Sequence, residues 1–159
     1  GQTREESLHR MIESIGVVAQ YASRYDLKLG VEILYYDETD FVNTADDALD
    51  IIDQVGTENI GVVLDTGTLN LSKESPEDIL AKLGDLMLQV HVNDNHGGKH
   101  QQNLIPGEGT YDFKGLMQIL KKHDFQGFLS AELSKEYAAD PEPALKITAD
   151  RVRAWMQGI

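Results

Sequence analysis

Four short apolar runs, each closing on a side chain that can ligate a metal, constrain this 159-residue chain more tightly than any other feature. The first is Leu29-Gly30-Val31 leading to Glu32, and the second is Ile60-Gly61-Val62-Val63-Leu64 ending at Asp65. The third covers residues 86–92 and contains His91; the fourth covers residues 127–133 and carries Glu132. Runs of this length that stay apolar instead of alternating read as strands of a parallel sheet buried on both faces.

Between the runs the apolar spacing changes to that of helices. Leu8, Met11, Ile12, Ile15, Val18, Ala19 and Ala22 recur at three and four residues across 3–25, and Thr3 with Glu6 forms a capping-box pattern. A second helix is predicted from about residue 44 to 55. A third is opened by Ser75-Pro76-Glu77-Asp78, with Ser as cap and Pro at the first helical position. A long connector through the Pro106-Gly107-Glu108-Gly109 turn leads to a helix from about 112 to 123, and a closing helix runs from Asp140-Pro141 to near Trp155. The order α-β-α-β-α-β-α-β-α describes a parallel sheet covered by helices, as in a doubly wound sheet or a barrel. The spacing alone leaves both open.

A hydrophobic content of 41% over this length supports one core and requires no second domain. The 27 acidic against 14 basic residues give a formal charge of −13, which repels phosphate backbones and anionic bilayers. Neither nucleic acid nor a membrane is an expected partner. The absence of cysteine excludes disulfides and thiolate chemistry. No apolar run approaches the ~20 residues of a membrane span, and the first residues lack the order of a signal peptide, so a cytoplasmic location is expected.

In parallel α/β folds, reactive groups gather beyond the carboxyl ends of the strands. Taken singly, an acid at a strand end is often a helix cap, and a lone histidine is often a hydrogen-bonded core residue. Four successive strands ending this way are harder to assign to unrelated caps. Glu32, Asp65, His91 and Glu132 are therefore the expected ligands of one divalent metal. The mostly oxygen set favours Mn²⁺, with Mg²⁺, Co²⁺ or Zn²⁺ as options.

At these residues the sequence resembles the xylose-isomerase-like sugar phosphate isomerase/epimerase superfamily, and within it the D-tagatose 3-epimerase branch. The resemblance extends over nearly the whole chain. It is carried by Val31-Glu32 with residues 38–44, Gly61-Val62-Val63-Leu64-Asp65-Thr66-Gly67, Val90-His91-Val92-Asn93-Asp94, Pro106-Gly107-Glu108-Gly109 and Leu129-Ser130-Ala131-Glu132-Leu133. It implies the same four metal ligands, with Glu32 and Glu132 as an acid/base pair on opposite faces of a bound sugar or sugar phosphate. The implied reaction is proton transfer through an enediolate. Glu38 is implied to approach the substrate; Asp94 is a candidate to orient His91 or contact substrate, and His100 a candidate to reach the ligand. Two positions depart from the family pattern: Thr68 stands where the epimerases usually have a histidine that helps hold substrate, and Gly97 where they often have an arginine.

The resemblance also implies the C-terminal half of a (β/α)8 TIM barrel, since a whole barrel has eight strands in roughly 250 residues. The expectation is one partial-barrel domain over 1–159, a truncation beginning on a helix, that pairs as a homodimer or with the missing N-terminal half. Three other functions compete: a metal-dependent dehydratase of the inosose type, a phosphodiesterase resembling endonuclease four, and an inactive fragment. The charge argues against the phosphodiesterase.

Overall fold

Helix starts are fixed locally by side chains. Thr3 Oγ1 accepts the Glu6 N–H at 3.2 Å while Glu6 Oε2 accepts the Thr3 N–H at 2.9 Å, the reciprocal box the sequence anticipates. Thr44 and Asp47 repeat the arrangement. Ser75 and Asp112 each cap a further helix with one such bond.

In the computed structural model, which describes residues 1–158, these caps open the helices α1 (Arg4–Ser23), α2 (Ala45–Val55), α4 (Pro76–Leu83) and α5 (Phe113–Lys122). The closing helix α6 spans Pro141–Gln157. The strands are β1 (Leu29–Glu32), β2 (Ile60–Asp65), β3 (Met87–Val92) and β4 (Phe128–Ala131). One α-helix was not anticipated: the seven-residue helix α3 (Thr66–Ser72) starts directly after β2, and Asp65 itself is its N-cap. The stretch Thr-Gly-Thr-Leu-Asn-Leu-Ser has weak helix propensity, so α3 is set by its cap and by burial.

All strand pairs are parallel and the order is β1-β2-β3-β4. A doubly wound sheet reverses direction at a switch point. Here chain order and spatial order coincide, so crossovers of uniform hand lay the helices on a single face, as in a barrel wall. That face forms the core, where Val62, Leu64, Val90 and Val92 meet Ala48, Ile51, Leu83, Leu116 and Met117. Leu64 is fully buried there, and truncating such a side chain to alanine costs roughly 2–5 kcal/mol.

The other face carries Gly30, Val63, Gln89 and Phe128 at one level, and the candidate ligands above it. A β-carbon at Gly30 would overlap Val63 Cγ2, so close approach requires glycine there. Among the described residues no helix is long and apolar enough to cross a membrane.

Candidate metal centre

The period of two along a strand decides which side chains reach the inner face. Glu32, Asp65 and His91 have the parity opposite to the core residues Val31, Leu64 and Val90. In register, Glu32 lies beside Val63, two residues before Asp65; Asp65 lies beside His91; and His91 lies beside Ser130, two residues before Glu132. The four candidates thus climb the sheet from β1 to β4, and the strand tilt of a barrel wall brings such a diagonal to one height. One ligand atom from each of the four lies within 4.8 Å of the other three. Sequence placed Glu132 on the last strand; it stands one residue past β4, where its N–H donates to the Val92 carbonyl at 3.3 Å.

His91 Nδ1 is the centre of the group, 2.9 Å from Glu32 Oε1 and 3.0 Å from Glu132 Oε2. The hydrogen bonds to Glu132 and Glu32 hold the imidazolium, raising its pKa to about 10, and the same contact lowers that of Glu132. Burial pushes the Asp65 carboxyl up, opposed by hydrogen bonds to its anion from the Thr68 N–H, Gln101 and Asn93.

Three carboxylates around one imidazole nitrogen form a pocket of concentrated negative charge, and the proton on His91 offsets part of it. A hard divalent cation fits the same space and donor set: three oxygens and one nitrogen, all within reach of one centre.

The other sequence candidates separate. The Glu38 carboxyl is raised, first by partial burial and then by the negative charges of Glu32 and Glu132, which places it within their field. Asp94 is completely buried and faces the loop. Its oxygens accept the backbone N–H groups of Asn95, Gly107, Gly109 and Tyr111 at 2.9–3.1 Å. With these acceptors engaged it shapes the rim and does not orient His91, whose ring is held by the two glutamates. His100 is largely exposed and sits 3.4 Å from Asp37 Oδ2, joining the loop after β3 to the loop after β1.

Sequence reasoning missed the residues that hold Asp65. Asn93 Nδ2 donates to Asp65 Oδ2, Gln101 Nε2 donates to Oδ1 at 2.9 Å, and the Thr68 N–H donates to Oδ1 at 2.7 Å. Asn93 is fully buried, and its Oδ1 has no hydrogen-bond partner among the described residues. The period-two pattern contained the signal for Asn93, which is two residues beyond His91 and shares its side of the strand. Gln101 arrives from an irregular loop for which no periodicity exists.

With fold and cluster placed, the comparisons with known proteins fall in one group. The profile of the xylose isomerase-like TIM barrel matches residues 1–156, and the chain belongs to that family of isomerases and epimerases. D-Psicose 3-epimerase of Enterocloster bolteae is 27% identical over 118 residues, covering 74% of this chain and 37% of the relative. 3-Dehydro-D-guloside 4-epimerase of Escherichia coli is 28% identical over 134 residues, covering 84% and 48%. Among solved structures, a xylose isomerase domain protein from Alicyclobacillus acidocaldarius superposes with a TM-score of 0.83 at 21% identity, over 98% of this chain and 60% of that one. The chain thus spans half or less of the length of these two relatives, and its architecture is that of the corresponding part of a TIM barrel.

Proposed function

We propose that this chain carries the metal-binding and proton-transferring half of a sugar or sugar phosphate epimerase, with Glu32, Asp65, His91 and Glu132 as the ligands of one divalent ion, Mn²⁺ foremost. The observation that supports this best is the contact of one imidazole nitrogen with two glutamates brought from the two outermost strands. Mg²⁺, Co²⁺ and Zn²⁺ suit the same donors.

A hydrogen next to a carbonyl is too weakly acidic to remove unless the developing enediolate is stabilised, and a bound divalent cation supplies that positive charge. Glu32 and Glu132 provide the proton chemistry. They enter from opposite edges of the sheet, so one carboxylate would take the proton from the substrate carbon on one side and the other would return a proton to the opposite face of the resulting planar enediolate, inverting the carbon. Asp65, buried and held by three donors, fixes the site's geometry. Glu38, in the field of both glutamates, is positioned to contact substrate hydroxyls. The relatives invert different carbons, so the reading extends to the reaction type and leaves the carbon open.

The test is incorporation of deuterium from D2O into ketoses and ketose phosphates, with and without Mn²⁺, compared with Glu132→Gln. Metal-dependent exchange that the variant loses supports the reading. Metal-dependent release of water from an inosose without exchange would move the assignment to a dehydratase.

The same reading includes association. Strands β1 and β4 have open edges, and Phe128 on the inner face is 74% exposed. A second copy or a complementary half-barrel would cover both. Light scattering that returns only the 17.7 kDa of one chain at high concentration argues against self-pairing.

A further inference from the structure

The carboxylate of Asp65 has four lone-pair positions, two on each oxygen. Oδ1 uses both of its positions, one for the Thr68 N–H at 2.7 Å and one for Gln101 Nε2 at 2.9 Å. Oδ2 uses one, for Asn93 Nδ2. A single position, on Oδ2, is left.

We propose that Gln101 is a positioning residue that, together with Thr68, blocks Oδ1 and so commits Asp65 to grip the metal through Oδ2 alone. The inference rests on the metal reading above and adds to it the way Asp65 binds and the residue that enforces it.

Gln101 is well placed for this role. Its Nε2 also donates to Thr68 Oγ1 at 3.0 Å, and its Oε1 lies 3.5 Å from Asn95 Nδ2, so the amide is fixed at both ends. Thr68 and Asn95 are themselves buried. Gly67 completes the arrangement, because a β-carbon there would overlap Gln101 Oε1 and Asn93 Oδ1. The residue that restrains Asp65 thus belongs to the loop after β3, whereas Asp65 ends β2. The same loop touches the loop after β1 through His100 and Asp37. A loop carrying such a restraint couples its own order to the geometry of the ion. Outer partners of this kind change metal affinity by about 10- to 100-fold when removed.

The experiment measures Mn²⁺ binding by calorimetry and the EPR spectrum of the bound ion for the parent chain, Gln101→Met and Gln102→Met. Methionine keeps the length of the side chain and removes the donor. Gln102 is the neighbouring control; it is exposed, and its Oε1 accepts the His96 N–H at 2.8 Å. The expected result is Mn²⁺ binding about tenfold or more weaker in Gln101→Met, with a changed EPR spectrum and metal-free unfolding that stays cooperative, while Gln102→Met matches the parent. Parent-like affinity and spectrum in Gln101→Met overturn the inference and leave the metal site standing. Equal weakening in both variants, or a Gln101→Met chain that no longer unfolds cooperatively without metal, also overturns it, by showing that the loop fold alone is at stake. A parent chain that does not bind Mn²⁺ overturns the metal reading, and this inference with it.

Discussion

Asp94 and Gly109 are matched to each other. Asp94 Oδ2 accepts the Gly109 N–H at 2.9 Å, and any β-carbon at position 109 would overlap Asp94 Oδ1 and the Asn95 carbonyl. The same carboxylate accepts three more backbone N–H groups, so one buried anion organises the whole turn around residues 106–109. Replacing Asp94 with Ala leaves four backbone donors, that of Asn95 buried, without their acceptor. The predicted loss is about 3 kcal/mol of unfolding free energy, read by urea denaturation. A change within experimental error would show that water substitutes for the carboxylate.

Glu32→Gln and Glu132→Gln each remove one anionic oxygen from the cluster. A ligand that binds only the folded state raises its melting temperature. Mn²⁺ should therefore stabilise the parent chain measurably in thermal scans, and should stabilise either variant far less. Equal shifts for all three proteins would place the ion elsewhere.

The pH dependence follows from His91. Its folded-state pKa of about 10 is above the ordinary value of 6.5. Its protonation therefore stabilises the metal-free fold fully below pH 6.5, and that contribution fades as pH rises toward 10. Metal and proton compete for Nδ1, so Mn²⁺ uptake at pH 7–8 should release close to one proton, and apparent affinity should climb about tenfold per pH unit in that range. Calorimetry in buffers of different ionisation enthalpy counts the protons. A count of zero contradicts a protonated His91.

Two glycines give opposite outcomes on substitution with alanine. At Gly67 the new methyl overlaps Gln101 and Asn93 and lies 3.1 Å from Asp65 Oδ1, so Mn²⁺ affinity should drop by roughly tenfold or more. At Gly16, inside α1, the nearest atom is 4.0 Å away, and alanine should stabilise the chain by about 0.5–1 kcal/mol through its helix propensity. Denaturant midpoints and calorimetric affinities separate the two effects.

Much of the fold is written locally. Thr3, Thr44, Ser75 and Asp112 cap helices where their side-chain chemistry predicts, and the four apolar runs form the four strands. Helix α3 was hidden because its residues have weak helix propensity and capping by Asp65 depends on where the next three residues turn. The role of Asp94 depended on the fold for a related reason. A carboxylate three residues past a ligand is chemically suited to a site, and only the path of the following loop brings the N–H groups of Gly107 and Gly109 onto it.

Apart from α3, the order of elements, the parity of Glu32, Asp65 and His91, and the residue types of the cluster follow from the chain alone, because alternation and capping act over a few residues. The tertiary structure decided what depends on distance. Parallel pairing of β1 to β4 in chain order chose a barrel wall over a doubly wound sheet. Strand stagger brought four candidate ligands, spread over 100 residues, within 4.8 Å of one another. The loop after β3 delivered Gln101 to Asp65 from 36 residues away. No local propensity encodes such contacts, because they exist only once the backbone has closed on itself.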